Sequence, residues 1–223
     1  MIEFFHAVEL DSQSGNPGST QAVPHVVEEL YIRKIDHYVL RDINVDAITF
    51  PPVKVLTVQG SRPDESRFPS FGDSVFDSLQ PQSLTLKDYN IIELGGLAKN
   101  GRLANLRTFK TQGCVSKVGR QVDVSTMVHC LPPLFYQFRQ LEELEMGCSQ
   151  VVPMILDSIC HNGGTLKKLN LSELNPELPG LLTVGQMQRL QDHCCRLVEL
   201  TLYIDAGDQQ VSVHVHLNFL SSS

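Results

Sequence analysis

The sequence predicts an α/β fold, a curved solenoid on a parallel sheet, from a spaced apolar repeat, strict polar alternation around it, and helical patterns in the intervals. The repeat has the form apolar-x-x-apolar-x-apolar. Its seven copies are Val27-x-x-Leu30-x-Ile32, Val53-x-x-Leu56-x-Val58, Pro81-x-x-Leu84-x-Leu86, Leu106-x-x-Phe109-x-Thr111, Leu141-x-x-Leu144-x-Met146, Leu166-x-x-Leu169-x-Leu171 and Leu197-x-x-Leu200-x-Leu202. The central residues are separated by 26, 28, 25, 35, 25 and 31 positions. Of the 21 template positions 19 are apolar, all but Pro81 and Thr111, where random placement in a 42% apolar chain gives about 9.

Positions outside the template give the independent check. The residues before, after and three after each central one are Glu29, Tyr31, Arg33; Val55, Thr57, Gln59; Ser83, Thr85, Lys87; Thr108, Lys110, Gln112; Glu143, Glu145, Gly147; Lys168, Asn170, Ser172; and Glu199, Thr201, Tyr203. Only Val55 and the two Tyr are apolar. Such alternation makes each segment a short strand with one face buried and one face wet. A strand this short cannot bury its Leu face alone, so the units must stack. The pattern resembles the leucine-rich-repeat family over residues 23–205. That resemblance implies a horseshoe of about seven repeats, with a parallel concave sheet and helical or irregular returns. The gaps of 35 and 31 are longer than the usual repeat, and of the family's Asn or Cys five residues after the central Leu only Cys114 is present, so no regular Asn ladder is expected.

Returns are most legible in the second half. Val151 to His161 carries Val152, Ile155, Leu156 and Ile159 at helical spacing, and Gly163-Gly164 is expected to stop the helix. Thr183-Val184-Gly185-Gln186 fits a capping box, opening a helix to Cys195 that buries Met187, Leu190 and Cys194. Ile91 to Lys99 is a shorter candidate, and Pro132-Pro133 is expected to interrupt the return before Leu141. The phrase His-Cys-Cys-Arg-Leu-Val-Glu-Leu-Thr-Leu, in which Cys194 lies three residues before Leu197, resembles the repeats of fungal F-box proteins. Those proteins are substrate receptors of cullin-type ubiquitin ligases. The F-box itself has no counterpart here, because the first repeat strand begins near Val27 and residues 11–20 read as a polar loop. The domain reading is 1–22 as a flexible or partial N-terminal segment, 23–205 as the repeat domain and 206–223 as a terminal strand or tail. Within the last, Val211 to Leu217 alternates strictly and is expected to form an eighth strand or a cap.

Composition excludes several classes. The chain has 223 residues, 18 Lys and Arg against 25 Asp and Glu, and a net charge of −7, which leaves no basic field to hold nucleic acid. No window approaches the ~20 apolar residues of a membrane span. Neither a basic start nor an apolar stretch marks Met1 to Leu10 as a secretory signal, so the six Cys read as reduced thiols and the expected setting is cytoplasmic or nuclear. In that setting the sequon Asn170-Leu171-Ser172 reads as an accident.

Catalytic and metal chemistry find little support. His161 beside Cys160, and His193 beside Cys194 and Cys195, invite zinc, but adjacent Cys on a helix diverge by about 100° and are read as buried, inert thiols. No Gly-x-Ser-x-Gly elbow and no phosphate-binding Gly loop ending in Lys-Ser or Lys-Thr is present. The expectation is therefore a non-enzymatic protein-binding module without cofactor or metal, taking a protein partner on its concave face. The residues expected there are Tyr31, Arg33, Lys87, Lys110, Glu143, Glu145, Lys168, Asn170, Glu199 and Tyr203. Lys87 and Lys110 are read as a basic patch abutting acidic Glu143 and Glu145, with the Tyr residues as anchors near the two ends. Substrate recognition for a ubiquitin ligase follows only if an F-box exists outside this chain. The alternatives are a stand-alone structural or regulatory repeat protein, or a degenerate fragment without activity. His214 and His216 share the exposed face of the terminal strand and are read as solvated.

Overall fold

The computed structural model describes residues 2–5, 27–33, 53–59, 80–87, 103–112, 124–147, 152–171, 182–205 and 210–216. The expected helix at 91–99, the loop at 11–20, and Cys114 and Cys148 lie outside them. One sheet contains nine strands in sequential order, β1 (Ile2–Phe5), β2 (Val27–Arg33), β3 (Val53–Gln59), β4 (Ser83–Lys87), β5 (Thr108–Gln112), β6 (Glu143–Met146), β7 (Lys168–Leu171), β8 (Glu199–Asp205) and β9 (Gln210–His216). The seven strands β2 to β8 are all parallel. At the two ends β1 and β9 pair antiparallel with β2 and β8. The alternating C-terminal segment is thus a strand, and the unanticipated Ile2–Phe5 is its counterpart at the other end.

The register places the seven central residues opposite one another, as Leu30, Leu56, Leu84, Phe109, Leu144, Leu169 and Leu200. A slip of one residue would turn every one of them to the wet face. Side chains are described at 19 of the 21 template positions, and all 19 are buried, Pro81 and Thr111 included. Thr111 is tolerated in an apolar row because its hydroxyl accepts from the Gly147 amide at 3.4 Å. A backbone ladder repeats at the strand starts. The carbonyls of Gln82, Arg107, Glu142 and Lys167 each accept two successive amides of the next unit, at 2.7 to 3.1 Å.

Three helices are described, α1 (Val124–Phe135), α2 (Val152–His161) and α3 (Val184–His193). Ile155, Leu156 and Ile159 of α2 and Leu190 of α3 join the same core as the Leu rows, so these helices cover the apolar face of the sheet. The 35-residue gap contains α1, and Phe135 and Phe138 at its end surround Phe109, with ring centroids 6.4 and 5.5 Å from it. Pro132-Pro133 does not interrupt this return as expected, since α1 runs through both and ends two residues later. Only the last turn loses amide donors there. The buried Leu131, Leu134 and Phe135 supply the compensating packing.

At α3 the capping box forms, with the Gln186 amide donating to Thr183 Oγ1 at 3.3 Å and the Thr183 amide donating to Gln186 Oε1 at 2.8 Å. The helix ends at His193, earlier than expected, and the buried Cys194 is its C-cap. The stop of α2 has a different cause from the one the sequence suggests. Neither Gly163 nor Gly164 adopts the left-handed conformation of a glycine cap. Gly163 is needed because a Cβ there would lie 2.2 Å from the His193 carbonyl oxygen, whereas Gly164 faces open space. Asn162 fixes the same turn, its buried Nδ2 donating to the carbonyls of Phe135 (3.1 Å) and Ser158 (3.3 Å).

Two pairs of variants test this arrangement by urea denaturation. Leu169→Asp puts an unpaired carboxylate in the core and should cost about 4 kcal/mol or more, whereas Lys168→Glu removes an exposed ion pair and should cost under about 1 kcal/mol. Equal losses would contradict the strand register. Gly163→Ala should cost about 3 kcal/mol or more through overpacking, with Gly164→Ala within about 0.5 kcal/mol of the unmodified chain.

Candidate functional site

The polar face is built by the register that buries the Leu rows. One row runs Tyr31, Thr57, Thr85, Lys110, Glu145, Asn170 and Thr201 across β2 to β8, and a second runs Glu29, Val55, Ser83, Thr108, Glu143, Lys168 and Glu199. A third joins Arg33, Gln59, Lys87 and Gln112. Adjacent members lie one strand spacing apart, about 4.8 Å. The antiparallel ends extend these rows, placing Glu3 opposite Tyr31, His214 opposite Thr201 and His216 opposite Glu199. The structure therefore sets all ten expected residues on one face by backbone register. The side chains of Arg33 and Tyr203 lie outside the described residues.

The expected separation of basic and acidic patches is not what the side chains form. Lys110 Nζ donates to Glu143 Oε1 at 2.8 Å and lies 3.6 Å from Glu145 Oε2, so one cation bridges the two carboxylates. Lys168 pairs with Glu199 at 2.9 Å. The hydrogen bond to Glu143 is the main reason that the Lys110 pKa stands above its ordinary value, with the charges of both glutamates adding to it and burial opposing it. Tyr31 is also engaged within the face. Its hydroxyl donates to Gln59 Oε1 at 2.6 Å, and Lys87 Nζ sits 5.9 Å from its ring centroid, within cation–π range. Asn170 stands apart: its Oδ1 is buried and has no hydrogen-bond partner among the described residues.

A further charged row escaped the sequence reading. Two residues before each centre stand Glu28, Lys54, Gln82, Arg107, Glu142, Lys167 and Val198. Lys54 pairs with Glu28 at 2.6 Å, while Glu142 takes Lys167 at 2.7 Å and Arg107 at 3.5 Å. Hydrogen bonding from Lys167 is the main cause that holds the Glu142 carboxyl below its ordinary range. The signal was six polar residues of seven at a fixed offset that the apolar template leaves blank.

The candidate metal ligands are dispersed or otherwise engaged. His161 packs edge-on to Tyr136 at 5.0 Å, and His193 Nδ1 lies 2.9 Å from the Arg189 carbonyl oxygen. Among the described residues no group of three or more His, Cys, Asp or Glu gathers as metal ligands. The reading of these cysteines as inert buried thiols is corrected at two of them: Cys195 is exposed, and Cys160 is half-buried, with hydrogen bonding from the Cys194 thiol, helped by His193 and Arg189 and opposed by burial, lowering its pKa to about 7. Among the described residues no helix is long and apolar enough to cross a membrane. Compared with protein-family models, with curated proteins and with solved structures, the chain gives no match.

The Lys110 bridge has a pH signature. A cation whose pKa is raised on folding contributes stability that is complete below its unfolded value, near 10.5, and lost as pH rises through the higher folded value. The unmodified chain should therefore lose stability above that pH more steeply than Lys110→Met, by under about 1 kcal/mol at this partly exposed site. Parallel alkaline stability curves for the two proteins would contradict the bridge.

Proposed function

We propose that the chain is a leucine-rich-repeat solenoid that works as a non-enzymatic protein-binding module, presenting its polar strand face to a protein partner in the cytoplasm or nucleus. The observation that carries the reading is the unbroken register of β2 to β8, which aligns seven central apolar residues on one side and continuous polar rows on the other. A broad open face of short side chains and cross-strand ion pairs suits extended protein contact.

The charges on this face are largely satisfied by one another, so recognition rests on shape and directed hydrogen bonds more than on a net field. The resemblance to fungal F-box repeats extends the proposal to substrate recognition for a cullin-type ubiquitin ligase. That extension requires an F-box joined to the repeats from outside this chain.

A photo-crosslinking amino acid placed at Asn170 or Gln112, on the polar face, tests the proposal against one placed at Gln188, exposed on α3. In cells, the two face positions should give one discrete protein adduct that the α3 position does not give, and Glu145→Lys should reduce its yield. Adducts that are the same from both sides, or none from the polar face, would contradict it.

A further inference from the structure

We propose that Cys160 and Cys194 are an oxidisable dithiol, closing to a reversible disulfide between α2 and the C-cap of α3 with a hydroperoxide as the oxidant. The geometry comes from the close approach of the two helix ends. Gly163, whose amide donates to the Cys160 carbonyl at 2.9 Å, is pressed so tightly on His193 that a Cβ would meet both the His193 and the Cys160 carbonyl oxygens. Cys194 follows His193 directly, and its own amide donates to the Leu190 carbonyl at 2.8 Å. The end of α2 and the C-cap of α3 are thereby brought together, with Cys160 packed on the core that contains Cys194 and each thiol close enough to perturb the ionisation of the other. A bridge requires the two sulfurs to close to a bond of about 2.05 Å across this junction.

The two sulfurs are unequal in ways that assign their roles. Cys160 is half-buried, and hydrogen bonding from Cys194, with His193 and Arg189 adding to it, favours its thiolate against the opposing effects of burial and Asp157. A thiolate available near neutral pH is the form that attacks a peroxide. Cys194 is fully buried, and its thiol is held well above the usual range by the same hydrogen bond and by burial. It is the resolving partner.

The Cys160 thiolate attacks one oxygen of hydrogen peroxide and breaks the O–O bond, giving a sulfenic acid and hydroxide, which takes a proton to become water. The Cys194 sulfur then attacks the sulfenic sulfur, the S–O bond breaks, and the Cys194 proton leaves with the hydroxyl as a second water. Two thiols lose two electrons and two protons, and one peroxide becomes two waters. Exposed Cys195 is the nearest competitor by sequence, but it faces solvent, whereas Cys194 is buried in the core on which Cys160 packs. This inference is independent of any partner on the polar face.

The test uses the full chain, reduced, desalted and treated with stoichiometric hydrogen peroxide at pH 7, then alkylated, digested and read by mass spectrometry. A cross-linked peptide joining Cys160 to Cys194 should appear, vanish on treatment with dithiothreitol, persist in Cys195→Ser and be absent from Cys160→Ser. Before oxidation, Cys160 should react with iodoacetamide at pH 7 roughly tenfold faster than a thiol of ordinary pKa. The proposal is overturned if both thiols remain separately alkylatable after peroxide, if Cys195 replaces Cys194 in the bridge, or if Cys160 proceeds to sulfinic acid beside a free Cys194. Because Cys160 is only half-buried and Cys195 is exposed, their Ser variants keep the test decisive even where a change at Cys194 prevents folding.

Discussion

A strand of four to seven residues with one apolar face has no stable existence by itself, and this chain meets that constraint by setting each such face beside the next. The aligned row from Leu30 to Leu200 is the physical core of the molecule. Every other feature depends on it. Burying a Leu contributes about 1.5 to 3 kcal/mol, and a slip of one residue would forfeit that contribution at each position of a strand while exposing the Leu side chains to water. Where the row carries Phe109 instead of Leu, the neighbouring connection supplies Phe135 and Phe138 around it.

The same register determines the chemistry of the opposite face. Residues 33 to 35 apart in sequence become neighbours across one strand spacing, which is how Lys110 reaches both Glu143 and Glu145. Cross-strand pairing also runs along the strand starts through Lys54, Arg107, Glu142 and Lys167. Exposed pairs of this kind add little to stability individually, but they cancel one another's fields. A face neutralised in this way presents contour and hydrogen-bonding groups more than a net field.

Much of this was legible in the sequence because period-two alternation repeated at nearly constant spacing encodes both strand identity and register. The α3 capping box was legible for a similar reason, since Thr183 and Gln186 satisfy each other locally. What could not be read depended on contacts between units. Lys87, Lys110, Glu143 and Glu145 suggested abutting patches, and only side-chain reach turns Lys110 into a bridge. Gly163 looked like a helix stop, and its actual role comes from the carbonyl of His193, thirty residues away. Ile2–Phe5 is too short to display a period, and Pro132-Pro133 reads as a break until the buried aromatic cluster beside it is known. The Cys160–Cys194 contact likewise joins two helices whose approach no local pattern records.

The alignment of the apolar row is best tested by through-space NMR contacts between backbone protons of β6, β7 and β8 in the intact chain. The account predicts contacts that pair Leu144 with Leu169 and Leu169 with Leu200 in a parallel arrangement. Contacts shifted by one residue, pairing Glu145 with Leu169, or an absence of contacts between these strands, would contradict it.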